Sequence, residues 1–148
     1  MFSGSLHILL ADDDEDDRVL FTDALNELKI KTVVHTVNDG LELMEYLATK
    51  ESDLPQLLFL DLNMPRKSGF QCLKEIRSNH KMAEMAIAIF STSLAEKDIE
   101  ETFMHGANVY INKPNTFDDL KKVLNKVVVT ARSYQDTFYN KSNFLLRL

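Results

Sequence analysis

The sequence predicts a doubly wound α/β domain, a parallel sheet with helices on both faces. Short apolar runs of strand character alternate five times with longer segments whose apolar residues recur at helical spacing. The 148 residues, 45% of them hydrophobic, supply one continuous core, and no Pro, Gly or Ser-rich linker divides it. Right-handed crossovers leave helices above and below such a sheet, and its ligand site then falls at the carboxyl ends of the strands.

Each element has its own signal. Residues 7–11 (HILLA) form an apolar run ending abruptly in acids, as a buried parallel strand does. Leu20, Phe21, Ala24, Leu25 and Leu28 then keep helical spacing, and the acids from Asp14 to Asp17 suit the positive start of that helix. Thr32–Val37 is β-branched and closes on Asn38-Asp39-Gly40, a turn leading to a helix through Leu41, Met44, Leu47 and Ala48. Leu57–Leu60 is a third strand, and Phe70, Leu73 and Ile76 mark a third helix. Residues 86–90 make a fourth strand and residues 95–105 a fourth helix, with Gly106 placed for a left-handed cap. Residues 109–111 make the fifth strand, and a last helix starts near Phe117.

The residues just past the strands carry the chemistry. Asp12 and Asp13 stand after the first, Asp61 after the third, Ser91 and Thr92 after the fourth, and Lys113-Pro114 after the fifth, all at one edge of the sheet. Three carboxylates brought together raise one another's pKa and call for a cation. Magnesium suits, because it takes few carboxylates, keeps several waters and binds phosphate oxygens. Lys113 adds a compact second positive charge. Such a site fits phosphoryl transfer, in which the protein mainly positions the attack and spreads the charge on the transferred group. Asp61 is expected to be the nucleophile, Asp13 a direct metal ligand, Asp12 a partner through water, and Ser91 a hydroxyl donor to the phosphoryl group.

The blocks ILLADD, LFLDLNMP, FSTS and GANVYINKP resemble the signature blocks of the two-component response-regulator receiver domain, over about residues 6–130. All four occur in order, each at a predicted strand. The resemblance implies the flavodoxin-like strand order 2-1-3-4-5 with five helices, and Asp61 as phosphoacceptor. It also implies an acidic pair at Asp12 and Asp13, and the Asn63 backbone carbonyl as third metal ligand. Ser91 becomes the switch hydroxyl, by spacing back from Gly106-Ala107 and Lys113, while Thr92 offers its backbone N–H. Tyr110 resembles the family's rotating aromatic, and Lys113-Pro114 its cis peptide. The donor is then a histidine kinase or phosphotransfer protein, with Mg2+-dependent self-phosphorylation and slow self-dephosphorylation. Single-domain receivers resembling those paired with phytochrome-type kinases carry similar tails.

Other readings are weaker. The net charge of -6 opposes a nucleic-acid backbone, and Lys121, Lys122, Lys126 and Arg132 read as a solvated helix face. Cys72 is alone, which suits a reducing cytoplasm and a buried role. No window reaches membrane-spanning length without a charge, so a cytoplasmic protein is expected. Asp12, Asp14 and Asp16 mimic a calcium loop, but Asp17 stands where that loop needs glycine and Asp23 where it needs glutamate. His7, His35, His80 and His105 show no ligand spacing. An aspartyl phosphatase needs a second aspartate two residues after the nucleophile, and Asn63 stands there. A receiver-shaped interaction protein that carries no phosphate would not need Asp12, Asp13, Asp61, Ser91 and Lys113 together.

Residues 1–130 are expected to form the receiver, and residues 131–148 an extension for packing or dimerisation. Leu120, Leu124, Val127, Val128 and Ala131 continue toward Tyr134, Phe138, Phe144 and Leu145. This apolar surface either folds back on its own domain or joins two copies, and the homodimer is the arrangement preferred from sequence. With no second domain in the sequence, output is expected through an unknown downstream protein that binds one state better.

Overall fold

A computed structural model describes residues 4–50, 53–133 and 144–146. The elements are β1 (Leu6–Ala11), α1 (Glu15–Asn26), β2 (Thr32–Val37), α2 (Gly40–Thr49), β3 (Leu57–Leu60) and α3 (Gly69–Ser78). They continue as β4 (Ala86–Ser91), α4 (Glu96–Met104), β5 (Val109–Asn112), α5 (Phe117–Ser133) and β6 (Leu145–Leu146). The sheet is parallel throughout in the order β2-β1-β3-β4-β5-β6, so the expected five-strand order is present and a short sixth strand extends it.

The period of two along each strand sends alternate side chains to opposite faces. Leu6, Ile8 and Leu10 of β1, Phe59 of β3 and Phe90 of β4 meet Phe21 and Leu25 of α1 and Leu120, Leu124 and Val128 of α5. Leu9, Leu58, Leu60, Ile87, Ile89 and Tyr110 face the other way, toward Leu43 and Leu47 of α2 and Cys72, Leu73 and Ile76 of α3. Both faces of β3 are therefore buried, which is why it reads as an unbroken apolar run. β2 lies at the sheet edge and is half exposed, so its apolar pattern is diluted. On the α1/α5 face Phe21, Phe59 and Phe90 meet edge-on, with centroids 4.9, 5.8 and 6.2 Å apart.

Side chains close the helix starts beside the site. The Asp14 carboxylate accepts the Asp17 N–H, Asp39 accepts that of Glu42, and Ser68 with Gln71 forms a capping box. Gly106 ends α4 with φ 91°, as its placement predicted.

One expectation needs correction. The Lys113–Pro114 peptide is trans, the isomer X–Pro bonds intrinsically favour. Among the apolar C-terminal residues, Phe144 and Leu145 fold back on their own sheet: β6 pairs with β5, and the Tyr110 N–H donates to the Phe144 carbonyl at 2.8 Å. Phe144 is buried, edge-on to Phe103 at 5.1 Å and Tyr110 at 6.2 Å. The physical reason is that β5 would otherwise present an open edge, whose unpaired N–H groups are satisfied by an added strand. Tyr134 and Phe138 lie outside the described residues, as does the side chain of Arg132. No helix among the described residues is long and apolar enough to cross a membrane.

Candidate functional site

Because the strands are parallel, the residues beyond the ends of β1, β3, β4 and β5 emerge at one rim, and the Asp61 N–H donates to the Ala11 carbonyl at 3.0 Å. Asp12, Asp13 and Asp61 each bring a carboxylate oxygen to within 4.8 Å of the others. Asp12 and Asp61 are buried while Asp13 is exposed, so the cluster opens to solvent on one side. Among the described residues these three can hold a metal ion. A hard divalent cation fits them: the donors are all carboxylate oxygens, and the Lys113 ammonium is the one positive group that meets buried Asp12 Oδ2 among the described residues.

The Lys113 ammonium fills part of that need. It stands 2.9 Å from Asp12 Oδ2, 2.8 Å from Asp17 Oδ2 and 3.7 Å from Asp61 Oδ2. Lys113 is placed by the backbone, since its N–H donates to the Ser91 carbonyl at 2.9 Å. Burial pushes the Asp61 carboxyl up to about 6, and the charges of Asp12 and Asp13 add to this against Lys113 and the Asn63 N–H, which favour the anion. Burial raises Asp12 as well, opposed by its hydrogen bond from the Asp14 N–H and by Lys113. Burial works against the charge on Lys113, but the carboxylates of Asp17, Asp12 and Asp61 hold its pKa above the usual lysine value.

The two adjacent hydroxyls part company. Ser91 ends β4 fully buried, and its Oγ accepts the Ser93 N–H at 3.1 Å, whereas Thr92 points to solvent. Tyr110 is turned inward and fully buried, its hydroxyl donating to the Ser93 carbonyl at 2.9 Å. Ser93 Oγ in turn donates to Asp98 on α4 at 2.7 Å. Ser91, Ser93, Tyr110 and the start of α4 are therefore one connected unit, which is what a hydroxyl-to-aromatic relay requires.

The loop after Asp61 is held tightly. A Cβ on Gly69 would lie 2.2 Å from the Asp61 carbonyl oxygen, and one on Gly40 would lie 2.1 Å from that of Lys67. Only glycine permits both approaches. Arg66 takes φ 66° and donates through Nε to Asp39 Oδ2 at 3.0 Å, joining this loop to the start of α2. Asn63, exposed, sits two residues past Asp61 and donates its N–H to that carboxylate.

Every candidate from the sequence thus lies at this rim, and Asp14 is a helix cap only. The contact that sequence reasoning missed is that of Asp17 with Lys113, since Asp17 was read there as a helix start only. Its signal was positional: Asp17 lies in the first turn of α1, the helix that shares a sheet face with α5.

A model of the response regulator receiver domain matches residues 8–125. The response regulator Rcp1 of Synechocystis sp. is 31% identical over 121 residues, covering 79% of this chain and 82% of its own. Among solved structures, the phosphorylated cyanobacterial phytochrome response regulator RcpA superposes with a TM-score of 0.81 at 30% identity, over 88% of this chain and 96% of that one. The Mn2+-bound form of response regulator Rcp1 superposes with a TM-score of 0.74 at 29% identity, over 88% and 95%. With the expected sheet order and an acidic rim in place, the match settles the family: this chain is a response regulator receiver domain.

Proposed function

We propose that this receiver takes a phosphoryl group onto Asp61 from a phosphohistidine of a histidine kinase or phosphotransfer protein, in the cytoplasm. The observation that carries this is the setting of Asp61: a buried carboxylate with Asp12 and Asp13 beside it and the Lys113 ammonium at 3.7 Å. An Asp61 oxygen attacks phosphorus, its O–P bond forming as the donor's P–N bond breaks and that electron pair leaves with the imidazole nitrogen. Lys113 offers its charge to the phosphoryl oxygens, Ser91 its hydroxyl and Thr92 its backbone N–H. Asp12, Asp13, Asp61 and the Asn63 carbonyl would hold Mg2+. When bound, that ion neutralises the carboxylates and the developing charge on the phosphoryl oxygens.

In this reading Ser91 and Tyr110 report the phosphoryl group to α4 and β5, and a protein that prefers one state binds there. Residues 1–130 are the receiver and residues 131–148 its packing extension, a role the buried Phe144 supports. A second copy of this chain is one candidate partner through that extension, and light scattering at high concentration tests it. The phosphoacceptor assay is incubation with acetyl phosphate and Mg2+ followed by intact mass. Wild type is expected to gain one phosphoryl group, and Asp61→Asn none. An adduct on Asp61→Asn would move the acceptor elsewhere, and labelling unchanged by a chelator would remove the metal.

A further inference from the structure

We propose that Asp17 is a positioning residue for phosphoryl transfer: its carboxylate holds the Lys113 ammonium at the rim beside Asp61 and keeps it from closing further on the oxygens of Asp12 and Asp61. The inference rests on Asp61 being the acceptor.

The ammonium is shared between Asp17, at 2.8 Å, and Asp12, at 2.9 Å, and stands farther from Asp61, at 3.7 Å; Asp17 lies outside the group of three acids whose oxygens converge. Nor does the Asp17 side chain cap α1. That task belongs to Asp14, whose Oδ1 accepts the Asp17 N–H at 3.1 Å. The acids at Glu15 and Asp16 meet the same helix dipole while remaining exposed, whereas Asp17 is partly buried and reaches 96 residues along the chain to Lys113.

Lysine carries its charge on a flexible four-carbon stem. Beneath this ammonium the Phe90 ring lies 5.4 Å away, and the side chain is 12% exposed, so few positions are open to it. Without Asp17 the nearest carboxylates are Asp12 and Asp61. An ammonium drawn wholly onto them holds Asp12, which it already meets at 2.9 Å, more firmly against a cation and shields the nucleophile. When a cation occupies those oxygens, like-charge repulsion pushes Lys113 outward, and Asp17 is the carboxylate that keeps it at the rim. One of its three N–H donors then serves Asp17 and two remain for phosphoryl oxygens.

The test is a double-mutant cycle of Asp17→Ala and Lys113→Met, with folding checked by circular dichroism. It is read on two quantities: the rate of labelling by acetyl phosphate, and the affinity for MgCl2 alone from amide chemical shifts. Asp17→Ala is expected to slow labelling roughly tenfold when Lys113 is present, as misplacement of a catalytic group does. It should leave the rate of the Lys113→Met protein unchanged. The loss of Mg2+ affinity on Asp17→Ala should be at least about threefold larger with Lys113 than without it. Labelling of Asp17→Ala at the wild-type rate would overturn the proposal, and so would equal losses in both backgrounds, the mark of a structural or through-space role. Should wild type take no phosphoryl group, the acceptor reading fails, while the MgCl2 cycle still decides whether Asp17 governs Lys113. That cycle also decides if Lys113→Met labels too slowly to follow.

Discussion

Replacing Asp61 by asparagine should stabilise the metal-free protein in a way that depends on pH. The folded Asp61 carboxyl titrates at about 6 and the unfolded one at 3.8, because folding buries it beside Asp12 and Asp13. The folded value lies above the unfolded one, so wild-type stability is whole below 3.8 and is lost as the pH rises through 6. About two units correspond to on the order of 3 kcal/mol at pH 8. Asparagine keeps the shape and carries no charge, so Asp61→Asn should recover roughly 2–3 kcal/mol at pH 8 and only a few tenths at pH 4. The attraction of Lys113 is already contained in this figure, since it opposes the rise. Urea unfolding of both proteins in EDTA at the two pH values measures it. A variant no more stable than wild type at pH 8, or equally stabilised at pH 4, would refute the electrostatic account of the site.

Gly69→Ala places a methyl group 2.2 Å from the Asp61 carbonyl oxygen, a backbone atom that cannot step aside. It should cost about 2 kcal/mol or more in urea unfolding and slow acetyl phosphate labelling, because the acceptor loop must shift. Phe144→Ala empties the contact with Phe103 and Tyr110 and should release β6. The Tyr110 amide, which donates to the Phe144 carbonyl, should then exchange with solvent at least about tenfold faster while the amides of β3 keep their protection.

Much of the fold was legible because buried parallel strands announce themselves. Residues 57–60 and 86–90 are apolar on both faces, and an acid after the first and a hydroxyl after the second mark the rim. The acceptor loop was less legible: the need for glycine at Gly69 became plain only with the Asp61 carbonyl 2.2 Å from its missing Cβ. Ser91 is buried and Thr92 exposed, a difference adjacent hydroxyls do not display in sequence. Asp17 lies in the first turn of α1 as read, but in a run of acids at a helix start nothing local distinguishes the one that turns toward a distant lysine.

By itself the sequence determined the alternation of strands and helices, the two-faced core and the set of groups gathered at one rim, while the strand order came only through the family resemblance. The first three follow from side-chain period, crossover handedness and local turn chemistry, all of which act over short stretches. Tertiary structure alone decided which carboxylates share Lys113, that the Lys113–Pro114 bond is trans, and that Phe144 closes the β5 edge. Those outcomes depend on distances between segments far apart in the chain, where burial and charge are set by neighbours the local sequence does not contain.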